Sequence, residues 1–128
     1  MSKSDSPATT EDILSYLNYI RHKRQEYFVC LSLNVDHKVI KRRTVTIGLL
    51  DMALAHPREV FAGPLKDRAA AIIVAHNHPS GNPQPSKEDI KTTEQLVAAG
   101  QILGLRVQDH IIVASDKVFS FRAHLLIL

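Results

Sequence analysis

The sequence predicts an α/β fold in which helices flank a mixed β-sheet. Three observations lead there. Apolar residues alternate along residues 27–35, as on a strand. Residues 69–75, "AAAIIVA", form an unbroken apolar run of strand length. Residues 87–103 carry apolar positions at helical spacing behind a serine. Strands and helices thus alternate within 128 residues, a length suited to one domain.

Taken in order, residues 1–8 are small and polar and include Pro7, which predicts disorder, so the single domain is expected over 9–128. Thr9 or Thr10 can cap a first helix running to about residue 23, with Glu11 and Asp12 in its first turn. Its apolar residues Ile13, Leu14, Leu17 and Ile20 recur at helical spacing. In the strand at 27–35, Tyr27, Val29, Leu31, Leu33 and Val35 share one face, and Glu26, Phe28, Cys30 and Ser32 fall on the other. "NVDHK" reads as a turn, "VIKRRTVTI" as a second strand, and residues 49–55 fit strand or helix equally. Pro57 suits the first turn of a helix to about Lys66. The 69–75 run has the character of a strand covered on both faces. Ser86 opens a helix to about Leu103, and "LRVQDHIIVAS" and "KVFSF" close the sheet.

Composition narrows the function classes. With 45% apolar and 23% charged residues, the chain buries enough surface to fold without a disulfide or metal staple. The one cysteine, Cys30, makes no internal disulfide, which fits a reducing, cytoplasmic setting. No stretch approaches the ~20 apolar residues of a membrane span, and "MSKSDSPATTED" lacks the apolar segment of a signal peptide. The net charge of +3 is mildly basic. Its clusters, "RHKR" at 21–24 and "KVIKRR" at 38–43, read as a solvated helix end and strand edge. Neither has interleaved aromatics to stack single-stranded bases.

The chemistry concentrates in "AHNHPSGNPQPSKED", residues 75–89. His76 and His78 stand two apart at a strand end, so both point to one side and Asn77 to the other. Pro79 stops the strand. Paired imidazoles repel once protonated, so they favour sharing a cation or staying neutral. On the following helix, Thr93, Leu96, Gly100 and Leu103 all fall within about 40° of Asp89. Lys87, Lys91, Gln95, Ala98 and Gln101 lie opposite. Asp89 therefore heads the apolar face, where a carboxylate is costly unless a cation meets it. A metal on the two histidines would supply that cation. Ser86-x-x-Asp89 is also an ordinary capping pattern, and a bare His-x-His is a weak signal; it is the combination that points to a metal.

That combination, His76-x-His78, ten residues and then Asp89, with Pro79 and Ser86, resembles the JAMM motif of the JAB/MPN+ metalloproteases. "AHNHPSG", with "HPREVF" at 56–61 and "DHIIV" at 109–113, resembles more narrowly the bacterial RadC-like branch, over about residues 10–124. The resemblance implies a JAB/MPN-like sheet in a cytidine-deaminase-like layer architecture. It implies that His76, His78 and Asp89 ligate one zinc ion, with a water in the fourth position. It implies a catalytic Glu26, preceding the first strand, as general base, with Ser86 holding the oxyanion. Glu59 is the rival base. RadC-like proteins usually carry a helix-hairpin-helix region ahead of this domain, and no such region is expected here. His110 is read as an ordinary strand-end residue rather than a support to the metal oriented by Asp109. His22, His37, His56 and His124 are read as surface or packing residues.

Two function classes follow. The first is a zinc-dependent hydrolase cleaving an amide or isopeptide bond of a protein or peptide substrate. The alternative is a DNA-repair-associated nucleic-acid module, or a metal-dependent nuclease without peptidase activity. Sequence decodes neither the substrate nor the oligomeric state.

Overall fold

A computed structural model describes residues 10–48 and 55–127 of the chain. The disorder expected at 1–8, the Thr9 cap and most of the ambiguous segment 49–55 lie outside those residues. The elements are α1 (Thr10–Leu17), a 3-10 turn (Asn18–Ile20), β1 (Tyr27–Leu33), β2 (Val39–Ile47), α2 (Pro57–Lys66), β3 (Ala71–Asn77), α3 (Lys87–Leu103), β4 (Arg106–Ala114) and β5 (Lys117–Ser120).

The strands form one mixed sheet in the order β2-β1-β3-β4-β5. Among the described strands only β3 and β4 are parallel, joined by the crossover that contains α3. β1 is antiparallel to both β2 and β3, and β5 is antiparallel to β4. β3 is buried along its whole length, as its continuous apolar run requires for a central strand. The exposed pattern of β2 fits an edge.

Alternation along the strands sorts two cores. Val29, Leu31, Leu33, Ile73 and Val113 pack with Ile13, Leu17 and Ile20 on the α1 side. Phe28, Cys30, Ile72, Val74 and Ile112 pack with Val60, Phe61 and Leu96 from α2 and α3 on the other. Burial pushes the Cys30 thiol up to about 12, so it stays protonated. Arg43 on β2 grips Asp67, just past α2, with both carboxylate oxygens engaged. The pair pins the edge strand to the helical layer.

The ends of the first helix and of β1, and the facing of Leu103, differ from expectation. The first helix ends near residue 17 rather than 23 and tightens into the 3-10 turn. There Arg21 N donates to Asn18 O at 3.1 Å and Lys23 N to Ile20 O at 3.2 Å, bonds one residue shorter than helical ones. Beyond the turn the chain is held from across the sheet, where the buried Asn77 amide accepts from Tyr27 N at 2.6 Å and donates to Lys23 O at 3.3 Å and Gln25 O at 3.0 Å. β1 stops at Leu33 because the Asn34 side chain accepts from the N–H groups of Asp36 and Lys38, closing a turn that leaves Val35 80% exposed. Leu103 is 43% exposed because Gly104, at φ 72°, ends α3 and Leu105 enters the core in its place.

The two basic clusters are partly consumed by structure. Arg21 donates to Ser115 O at 2.6 Å and Asn18 Oδ1 at 3.0 Å. Arg42 lies over the Tyr19 ring, 4.3 Å from its centre. Among the described residues no helix is long and apolar enough to cross a membrane.

Candidate metal centre

The site forms where the carboxyl end of β3 meets the N-terminus of α3, the end at which parallel strands open to ligands. His76 lies on the α3 face of β3 and Asn77 on the α1 face, as period two demands. His78 lies one residue beyond the strand, but its N–H still donates to Val113 O at 3.0 Å, so it returns to the side of His76. The loop then turns back through Gly81, at φ 87°, whose N–H donates to His78 O. That turn brings the Asn82 carbonyl to 2.8 Å from His78 Nδ1. A carbonyl only accepts, so Nδ1 carries the proton and a neutral His78 turns a bare Nε2 inward.

Asp89 arrives from α3 by a capping box. Its N–H donates to Ser86 Oγ at 3.0 Å, and its Oδ2 accepts from Ser86 N at 2.8 Å. The cap thereby aims the carboxylate at the histidines. His76 Nε2 lies 3.2 Å from Asp89 Oδ1, His78 Nε2 lies 3.1 Å from Oδ2, and the two Nε2 atoms are 3.0 Å apart. One ligand atom from each of the three residues can be chosen so that all lie within 4.8 Å of one another. Ligand atoms ~2.0–2.1 Å from a tetrahedral ion stand about 3.3 Å apart, so the three fit one face of such a shell. His76 and Asp89 are buried, and the His78 side chain is 14% exposed, which leaves one approach open.

The electrostatics match a cation site. Burial works to raise the Asp89 carboxyl, yet His76 and His78, when protonated, donate to it and with the Ser86 N–H hold its pKa far below the usual range; a cation on the bare nitrogens would stand where those protons do. The Asp89 hydrogen bond raises His78 above its ordinary value, against partial burial, with the Asn82 carbonyl and the charge of Glu26 helping.

Glu26 directly precedes β1, and the antiparallel register pairs Phe28 with His76. The same count carried two residues beyond the ladder would bring Glu26 level with His78, and the charge of Glu26 acts on that ring. The Glu26 carbonyl accepts from Gly48 N at 2.9 Å. Glu59 is not drawn in. It lies exposed on the first turn of α2, 3.3 Å from Arg58 Nε. Glu88 is exposed, as the helical wheel implies. Ser86 is exposed, and its cap uses Oγ only as an acceptor, so that bond leaves the hydroxyl proton unspent.

The reading of His110 needs correcting. The ring is fully buried, and its Nε2 lies 2.8 Å from His76 Nδ1. Its Nδ1 meets Thr93 Oγ1 at 2.5 Å, and burial, followed by the nearby His76, lowers its pKa well below the ordinary value. Asp109 does not orient the ring. Its carboxylate accepts from the His110 N–H, Ser120 Oγ and Arg122 N. Sequence reasoning also passed over Thr93 and Asn77. The available signals were Thr93 one helical turn after Asp89 on the inner face, and an amide lodged between two histidines. His56 proves to cap α2, accepting from Arg58 N at 3.2 Å. An open cleft beside the site is lined by Arg21–Arg24, Ser115 and the stretch His78–Gly81.

Comparison with known proteins finds relatives over most of the chain. A family model described as RadC-like JAB domain matches residues 6–126. A UPF0758 protein of Methanospirillum hungatei is 53% identical over 110 residues, covering 86% of this chain and 49% of its own length. UPF0758 proteins of Bacillus mycoides and Bacillus cereus are each 49% identical over 113 residues, covering 88% of this chain and 50% of theirs. The chain thus spans about half the length of the curated relatives it matches.

Proposed function

This chain belongs to the RadC-like JAB domain family, and from that premise we propose that it is a zinc-dependent metallopeptidase cleaving an amide or isopeptide bond. One observation carries the reading. Two imidazole nitrogens and a carboxylate converge with separations of 3.0–3.2 Å, the spacing of a tetrahedral face with one position left for water. Two nitrogens and one oxygen suit zinc, which when bound lowers the pKa of water toward ~7.

The chain's own residues complete the chemistry. His76, His78 and Asp89 hold the ion. Glu26, whose charge acts on His78, takes the proton from the attacking water and returns it to the leaving amine. Ser86, whose cap spends only an oxygen lone pair, donates its hydroxyl proton to the developing oxyanion. The exposure of His78 supports this direction of approach for substrate.

Metal analysis of the full chain tests the assignment. About one zinc per chain is expected in the wild type and near none in His76→Ala. Glu26→Gln should keep its zinc and lose chelator-sensitive peptide hydrolysis. Hydrolysis retained in that variant would move the base elsewhere, and a zinc-free wild type refolded with excess zinc would sink the reading.

A second reading, a metal-dependent nuclease, draws on the basic cleft that meets His78. Against it stands the absence of a second carboxylate cluster for a two-metal clamp among the described residues. Parallel peptide and oligonucleotide substrates separate the two.

A further inference from the structure

A hydrogen-bonded line leads away from the centre into the core. His76 Nδ1 lies 2.8 Å from His110 Nε2, and His110 Nδ1 lies 2.5 Å from Thr93 Oγ1. Thr93 Oγ1 donates at 2.8 Å to the backbone carbonyl of Asp89, the residue one turn earlier. All three side chains are at most 2% exposed. Phe121 stacks on the His110 ring with centres 4.5 Å apart, so the ring has little freedom to turn.

Proton counting gives this line a direction. A carbonyl only accepts, so the single Thr93 hydroxyl proton goes to Asp89 O. Thr93 Oγ1 can then only accept, which requires N–H at His110 Nδ1. A neutral imidazole carries one N–H, so His110 Nε2 presents a lone pair. His76 Nδ1 must therefore donate, and His76 Nε2 is left bare, facing His78 and Asp89.

We propose that Thr93 and His110 are positioning residues that fix His76 in the Nδ1–H tautomer, so that its Nε2 is ready to ligate a cation. The inference rests on the metal-centre reading for its purpose but not for its hydrogen-bond logic. The two histidines are thereby locked by different means. The Asn82 carbonyl sets His78 through the loop. Thr93 sets His76 through an intervening ring, and it does so from Asp89's own helix. Register on α3 thus couples the position of the carboxylate to the tautomer of a histidine. Reversing the Thr93 hydroxyl would reverse every bond in the line and place a proton on the ligand nitrogen. Partners beyond the ligands commonly set metal affinity by this kind of control.

Imidazole nitrogen NMR of the metal-free protein tests the tautomer directly, and chelator competition with zinc tests its consequence. The wild type should show His76 protonated on Nδ1. Thr93→Val keeps the shape but removes the acceptor, so the His76 ring should move toward Nε2–H and zinc affinity should fall roughly 10–100-fold. Thr93→Ser should restore both. A His76 tautomer unchanged in Thr93→Val, or zinc affinity within about threefold of wild type, overturns the proposal. If Thr93→Val does not fold, the wild-type spectrum decides alone, since Nε2–H on His76 refutes it. A wild type with the expected tautomer that binds no zinc would instead sink the metal-centre reading.

Discussion

Asn77→Ala should separate the architecture of the site from its metal. The Asn77 side chain is fully buried and holds the chain that leads into β1 by three hydrogen bonds. Truncation removes the partner of the Tyr27 N–H and of the Gln25 and Lys23 carbonyls. One buried donor left unmade costs ~1–3 kcal/mol. The carbonyls are nearer solvent and add less, so the total should be about 2–4 kcal/mol. That is a large share of the ~5–15 kcal/mol typical of a domain, and urea denaturation will resolve it as a lower midpoint at unchanged slope. Hydrogen exchange at the Tyr27 amide should quicken by more than the global loss of stability explains. Glu26 sits between two residues held by this amide, so hydrolysis should fall further than stability. Zinc content should stay near wild type, because His76, His78 and Asp89 lie on the opposite face. An unfolding free energy within ~0.5 kcal/mol of wild type, with normal Tyr27 exchange, would refute this account of the amide.

Two further outcomes follow from the packing. The Arg43 pair, aided by Ser32, lowers Asp67 from its ordinary 3.8 to about 2. A depressed carboxyl stabilises fully above its unfolded value and loses that contribution as pH falls from 3.8 toward about 2. With 16% of the side chain exposed, we expect ~1–2 kcal/mol, present in wild type at pH 6, absent in Asp67→Asn, and converging between them near pH 2 in urea titrations. A pH-independent difference would refute it. At Gly100, an added Cβ would lie 2.2 Å from the Leu105 carbonyl, whose residue also donates its N–H to Gly100 O. Gly100→Ala should therefore lower the unfolding free energy by ~1–3 kcal/mol, seen as a lower urea midpoint, because helix and strand must part. An unchanged midpoint would show that the α3–β4 corner is not so closely packed.

Local pattern alone determined most of the frame. "VIKRRTVTI" became β2 at its expected bounds, Pro57 and Ser86 opened helices where their backbone chemistry requires, and the wheel angle of Asp89 placed it inward. Each of these depends on neighbours a few residues away, and periodicity records such neighbours. The pairing of His76 and His78 with Asp89 was legible for the same reason: strand alternation and helical phase fix each direction separately, and one short loop joins them.

What only the tertiary structure decided came from residues far apart in sequence. Asn77 holds the chain entering β1 from 50 residues away, Thr93 reaches His76 through His110 across the core, and the β1–β3 register sets Phe28 beside His76. A side-chain hydrogen bond spanning two layers leaves no period in the chain, because its partners share no element and no spacing rule. Hydrophobic order declares itself locally; a buried polar network exists only once the layers have closed and each donor must find its acceptor.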